Sequence, residues 1–160
     1  MSRERSFHSR SPAETKELGR ALGESLRGGD VVALSGPLGA GKTCLVQGLA
    51  EGLGVDTRVP VTSPTFVLVA EYPGRVWLRH ADFYRVESYA RLLDAGFDDL
   101  CDSSGVLVVE WPERFPEVLP DDRIEIRIEP GPGAEERRIA ISARGKRSER
   151  IQEELEARWP

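Results

Sequence analysis

Short unbroken apolar runs and helical spacings alternate along the chain. Val31-Val32-Ala33-Leu34 and Val106-Leu107-Val108-Val109 each read as a strand buried on both faces, the second ending at Glu110. Between them Leu45, Leu49 and Leu53 recur every four residues, with Val46 and Ala50 beside them and Gly54 as the stop, which predicts a helix. Ser11-Pro12-Ala13-Glu14 has the form of a helix start, with serine as N-cap and glutamate three residues on. That helix runs to about Leu26 and stops at Gly28-Gly29. Residues 66–72 and 75–84 are extended runs around Pro73-Gly74, a hairpin signal. A short helix is expected from Glu87 to about Ala95, alternating strands over 124–128 and 138–143, and a charged helix over 146–159. Strands alternating with helices imply an α/β sheet covered on both faces, and the hairpins make part of it antiparallel.

Composition narrows this picture. The 160 residues suffice for one domain with a proper core, and we assign residues 11–160 to it. Residues 1–10, polar and basic, read as a frayed tail and not as a secretory signal. No apolar run approaches the ~20 residues of a membrane span. Cys44 and Cys101 form neither a metal pattern nor a disulfide framework, so a reducing cytoplasm is expected. A net charge of −5 argues against nucleic-acid binding by the chain as a whole. Residues 137–150 are locally basic, but no aromatics interleave the charges, which favours a solvated surface over an RNA patch.

The sharpest chemical signal is Ser35-Gly36-Pro37-Leu38-Gly39-Ala40-Gly41-Lys42-Thr43-Cys44, which contains the G-x-x-x-x-G-K-[ST] phosphate loop between a strand and a helix. Gly36, Gly39 and Gly41 let the backbone curl close to a ligand. Amides from Leu38 to Thr43 are expected to point inward at the helix start, where unpaired N–H groups favour an anion. Lys42 adds a positive charge at the β- and γ-phosphates, and the Thr43 hydroxyl suits Mg²⁺.

Glu110, at the carboxyl end of a buried strand, is a second Mg²⁺ candidate; the plainer reading is an acid marking the solvent end of that strand. His80, Asp82 and Tyr84 lie two apart and would share one strand face. Asp82 could position or deprotonate a water attacking the γ-phosphate and His80 could orient it, or the face could simply be solvated. Thr65, in Val61-Thr62-Ser63-Pro64-Thr65-Phe66, reads from spacing as part of an ordinary turn, with a switch threonine as the alternative.

Taken together, GPLGAGKT, SPTF, HADFYR and VVEWPERF with VLPD resemble the TsaE family, also called YjeE, from about residue 11 to 143. The resemblance implies a small bacterial P-loop NTPase with a three-layer fold and a mixed, mostly parallel central sheet. It implies an ATPase, feeble alone, that works with TsaB and TsaD in making threonylcarbamoyladenosine beside the anticodon of tRNA. TsaD would carry the transfer chemistry, and tRNA would meet this chain through the complex. Carried over by position, it implies ATP or ADP contact along Leu38, Gly39, Ala40, Gly41, Lys42 and Thr43, and with it we take Gly36, Cys44, Thr65, His80, Tyr84 and Trp111 as further nucleotide-binding residues. It places Mg²⁺ on Thr43 and Glu110 and a catalytic role on Asp82, with Lys42 and Glu110. It favours Thr65 as a switch residue and sets Trp111 beside the metal acid, though packing alone would also explain that tryptophan. By the same analogy residues near Ser11–Thr15 and the loop at Gly133-Ala134 would flank the adenine. Cys44 departs from the family, which usually has a second threonine there.

Two other readings stand beside this one. A small-molecule kinase shares the loop and the size, with Arg85 and Arg91 as lid arginines, but no Gly/Arg-rich lid is evident. A nucleotide-gated binding module with incidental hydrolysis would differ only in whether hydrolysis is needed. A GTPase is disfavoured because the chain has no asparagine for guanine recognition. A monomer is expected.

Overall fold

The structure, a computed structural model, describes residues 4–64 and 68–159. Among the described residues the sheet has seven strands: β1 (Glu4–Ser9), β2 (Val31–Ser35), β3 (Val69–Tyr72), β4 (Trp77–Asp82), β5 (Gly105–Glu110), β6 (Arg123–Pro130) and β7 (Arg137–Arg144). Their order is β1-β7-β6-β2-β5-β4-β3. The central β6, β2, β5 and β4 are mutually parallel, while β7 and β1 on one side and β3 on the other are antiparallel additions. The helices are α1 (Pro12–Ser25), α2 (Lys42–Gly52), α3 (Tyr89–Asp94) and α4 (Lys146–Arg158).

The expected elements form for the expected reasons. The Ser11 hydroxyl accepts from the Glu14 amide at 3.1 Å, the N-cap half of a capping box, and Glu14 reaches back one residue further to accept from the Arg10 amide at 2.7 Å, which together start α1. β3 and β4 make the hairpin around Pro73-Gly74, and β6 and β7 pair across the 131–136 turn. β5 is buried on both faces: Val106 and Val108 enter the core under α1, α2 and α4, and Leu107 and Val109 enter a smaller core with Phe83, Phe97 and Phe115.

Coverage of both faces holds only for the central strands. On β6, Ile124, Ile126 and Ile128 face the large core, while Arg123, Glu125, Arg127 and Glu129 alternate with them and pair with one another on the open face. An alternating strand is suited to one wet face, so no helix layer is needed there.

The N-terminal segment departs from expectation. Glu4–Ser9 is not a frayed tail but strand β1, antiparallel to β7, with Phe7 opposite Ile139 and buried in the large core. One apolar residue in a polar stretch gives no periodic signal. The exposed edge of β7 supplies the missing partner for its backbone groups.

α1 and α2 approach unusually closely. A Cβ on Gly19 would lie 2.3 Å from the Leu45 carbonyl oxygen, and one on Gly48 would lie 2.0 Å from that of Lys16. Gly23 and Gly52 are equally tight, so the two backbones touch directly along this crossing and fix α2, which carries the phosphate loop at its start.

Candidate functional site

The carboxyl ends of β2, β5 and β4 lie side by side, with Leu34 in register with Glu110 and Glu110 with Asp82. In parallel sheets this end is where loops diverge and ligands bind. Here a cavity of about 1110 Å³ opens between the loop before α2, Ser63-Pro64, the turn after β4 and Trp111. Its volume suits a nucleotide-sized ligand.

The glycine loop curls as its residues require. Gly36, Gly39 and Gly41 all have positive φ, and a Cβ on Gly36 would meet the Ile128 carbonyl oxygen at 2.3 Å. Helix α2 begins at Lys42, so its first amides have no partner within the helix and their positive end faces the cavity. The Ala40 amide differs from expectation: it donates to the Pro37 carbonyl at 3.2 Å and is turned into the loop.

Lys42 is buried, and its Nζ donates to the Gly36 carbonyl at 2.6 Å while lying 4.0 Å from the centre of the Trp111 ring. Burial lowers its pKa, against the opposing pull of Glu110, Asp82 and Glu113. Trp111 follows β5 with φ of 57°, a left-handed conformation costing about 1 kcal/mol for a residue with a side chain. Tyr84 lies against its ring at 4.9 Å.

A chain of oxygen atoms crosses the cavity floor. Thr43 Oγ1 is 3.1 Å from Ser63 Oγ, which donates to Glu110 Oε2 at 3.2 Å. His80 Nε2 lies 2.5 Å from the same Glu110 oxygen, and both side chains are buried. With Glu110 ionised, Nε2 is the donor, and Nδ1 has no partner among the described residues. Asp82 accepts from the Tyr84 amide at 2.8 Å. Burial raises the Asp82 pKa, the Tyr84 hydrogen bond lowers it, and the negative charge of Glu110 raises it further.

One carboxylate with hydroxyl oxygens fits Mg²⁺, which binds hard oxygen donors and keeps several waters. Among the described residues no group of three or more His, Cys, Asp and Glu side chains is gathered as a metal cluster.

The family model described as "Threonylcarbamoyl adenosine biosynthesis protein TsaE" matches residues 9–139. The chain belongs to the TsaE family. It is 42% identical to the tRNA threonylcarbamoyladenosine biosynthesis protein TsaE of Bacillus subtilis, over 91% of this chain and 89% of that one. Against the protein of the same name from Treponema pallidum it is 44% identical, over 75% of this chain and 87% of the other. The crystal structure of Bacillus subtilis YdiB superposes with a TM-score of 0.81 at 35% identity, covering 99% of this chain and 97% of that one. A nucleotide-binding, ATPase-like role accords with this family and its P-loop fold.

Against this TsaE frame, most residues expected from the sequence converge. Leu38, Gly39, Gly41, Lys42, Thr43, Cys44, Asp82, Tyr84, Glu110 and Trp111 line the cavity. Gly36 sits behind Lys42 as its carbonyl partner, Ala40 is wholly buried, and Thr65 lies outside the described residues. His80 is neither solvated nor in the cavity lining; it backs Glu110 from inside the sheet. Tyr84 does not share a strand face with it, because β4 ends at Asp82 and Tyr84 stands exposed in the following turn.

Two contributors went unread. Ser63 bridges Thr43 to Glu110, and the loop serine next to proline gave no sign of that reach. Arg137, assigned to a solvated basic surface, instead donates to loop carbonyls of Ala40 and Gly39. The rest of that basic segment is largely surface or internally paired, as with Arg147 on Asp30 at 3.1 Å. Cys44 donates its thiol to the Pro12 carbonyl at 3.1 Å, and burial pushes its pKa up, so the thiol is not activated.

Proposed function

We propose that this chain is the Mg²⁺-dependent ATPase of tRNA threonylcarbamoyladenosine formation, slow alone and stimulated by TsaB and TsaD. The convergence of Lys42, Thr43, Asp82 and Glu110 in one cavity, in a chain whose relatives carry the TsaE name, is the observation that supports this.

In this reading the free amides at the start of α2 hold the phosphates of ATP, and ADP after hydrolysis. Lys42 exchanges the Gly36 carbonyl for phosphate oxygens, a contact made easier because both sit in the same loop. Thr43 and Glu110 hold Mg²⁺, which when bound neutralises phosphate charge. Glu110 is oriented by His80 and Ser63. Asp82 takes a proton from the water that attacks the γ-phosphorus, as the bond to the β–γ bridging oxygen breaks and ADP leaves. Trp111 and Tyr84 cover the lysine side of the cavity. Change on hydrolysis would pass through Thr65 and the segment after β4 to the partner proteins, with tRNA reached through the complex.

No described helix is long and apolar enough to cross a membrane, which accords with work on tRNA in the cytoplasm. A monomeric chain suffices for the site. The relatives lend no support to a small-molecule kinase.

The deciding experiment is ATP hydrolysis by the purified chain, alone and with TsaB, TsaD and tRNA, for wild type and Asp82→Ala. Stimulation by the partners that disappears in the variant is expected. Slow, partner-indifferent turnover, with phosphate arriving on a small metabolite, would refute the proposal. Tight partner binding and full tRNA modification by Asp82→Ala would instead show that hydrolysis is dispensable.

A further inference from the structure

The phosphate loop contains three glycines with positive φ and so has little intrinsic stiffness. Within the loop the Ala40 amide is held by the Pro37 carbonyl, and the next peptide, between Ala40 and Gly41, is held from outside. Arg137, the first residue of β7, reaches it from the far side of the β6–β7 turn. Its Nε donates to the Ala40 carbonyl at 2.7 Å and its Nη2 to the Gly39 carbonyl at 3.5 Å. Its Nη1 donates to the carbonyls of Ala134 at 2.9 Å and Glu136 at 2.7 Å. A half-buried guanidinium thus spends its donors on backbone oxygens from two segments. A fixed, planar fork is suited to this, and a flexible ammonium is not.

We propose that Arg137 is a positioning residue for the phosphate loop, holding the Gly39 and Ala40 carbonyls away from the cavity so that the Gly41 amide faces the phosphates. The inference rests on the nucleotide reading of this loop. In a trans peptide the C=O and N–H point in opposite directions. Fixing the Ala40 oxygen on Arg137 therefore aims the Gly41 N–H the other way, and Gly41 lines the cavity. A Cβ built on Gly41 would sit 3.5 Å from Arg137 Nε, so the guanidinium lies beside this glycine on its side-chain side. Without the arginine, the glycine-flanked peptides can turn, and a carbonyl turned inward would repel phosphate where an amide should attract it. The same side chain ties the loop to the 131–136 turn, where Glu136 accepts from His8 of β1 at 2.7 Å. The start of the chain and the nucleotide loop are joined through one guanidinium.

The test compares wild type, Arg137→Ala and Arg137→Lys, with Arg138→Ala on the exposed side of the same strand as control. Hydrogen exchange without nucleotide reads the loop directly. Arg137→Ala is expected to speed exchange of amides 36–43 at least tenfold while β2 and the interior of α2 stay protected. ADP binding by calorimetry should weaken at least tenfold, and more than AMP binding, which engages fewer loop amides. Arg137→Lys should recover part of both effects, and Arg138→Ala should change neither. Unchanged loop exchange with ADP affinity within twofold of wild type would overturn the proposal. So would exchange that rises equally across β2 and α2, or equal losses for ADP and AMP. If wild type itself binds no ADP, the nucleotide reading fails, and a positioning role for nucleotide binding falls with it; the exchange arm separates that failure from a loop indifferent to Arg137.

Discussion

His80 Nε2 and Glu110 Oε2 stand 2.5 Å apart on adjacent parallel strands, and solvent reaches neither side chain appreciably. A carboxylate at the floor of this cavity is thereby held by a donor from inside the sheet. Removing that donor leaves a buried carboxyl oxygen with Ser63 as its remaining partner. His80→Ala should lose about 3 kcal/mol in urea unfolding, and His80→Gln, which keeps a donor, should lose less. Equal stability of wild type and His80→Ala would contradict a holding role for this hydrogen bond.

Asp82 shows the opposite balance. Its folded pKa is raised, mainly by burial, so the ionised form costs stability at neutral pH. The sign follows from linkage: a raised carboxylate pKa penalises the fold above the folded pKa, and the penalty fades as pH falls through the folded pKa and is gone below the unfolded value near 3.8. Asp82→Asn should therefore melt higher than wild type at pH 7, with the difference gone at pH 3. Its ATP turnover should fall by roughly 10²–10⁴-fold if Asp82 accepts the proton. A variant that is both active and no more stable would contradict both halves.

The α1–α2 crossing makes a prediction against helix propensity. In an exposed helix, alanine in place of glycine stabilises by about 1 kcal/mol. At Gly48 the added methyl would lie 2.0 Å from the Lys16 carbonyl oxygen, so the helices must separate. Gly48→Ala should destabilise by about 2 kcal/mol and lower Tm by roughly 4–8 °C in calorimetry. A higher Tm would show that the helices have room to part.

Cys44 should be a poor nucleophile despite its place at the phosphate loop. Burial raises its pKa, and the nearby Lys16 and Arg137 charges only partly offset this. Alkylation by iodoacetamide at pH 7.5, followed by mass spectrometry, should be slower at Cys44 than for free cysteine by at least tenfold. Labelling as fast as free cysteine would point to an activated thiol.

Much of this molecule was legible in the linear sequence because its signals are local. Apolar runs at 31–34 and 106–109 set the buried strands, the Ser11-Glu14 box started α1, and the spacing of Leu45, Leu49 and Leu53 set α2. The phosphate loop was readable because glycine, lysine and threonine act there through backbone freedom and charge within ten residues. The glycines at 19, 23, 48 and 52 were also in plain view, four apart on each helix, but one helix alone does not show that another backbone will lie against it.

What the tertiary structure alone decided are relationships between distant segments. β1 exists because β7 offers an edge, not because residues 4–9 demand a strand. Ser63 reaches Glu110 across 47 residues, and Arg137 reaches Ala40 across 97. A serine or an arginine carries no periodic mark of such a bond, since both are equally at home in water. Only packing of the strands brings donor and acceptor within about 3 Å, where removal from water turns an unremarkable polar residue into part of the site.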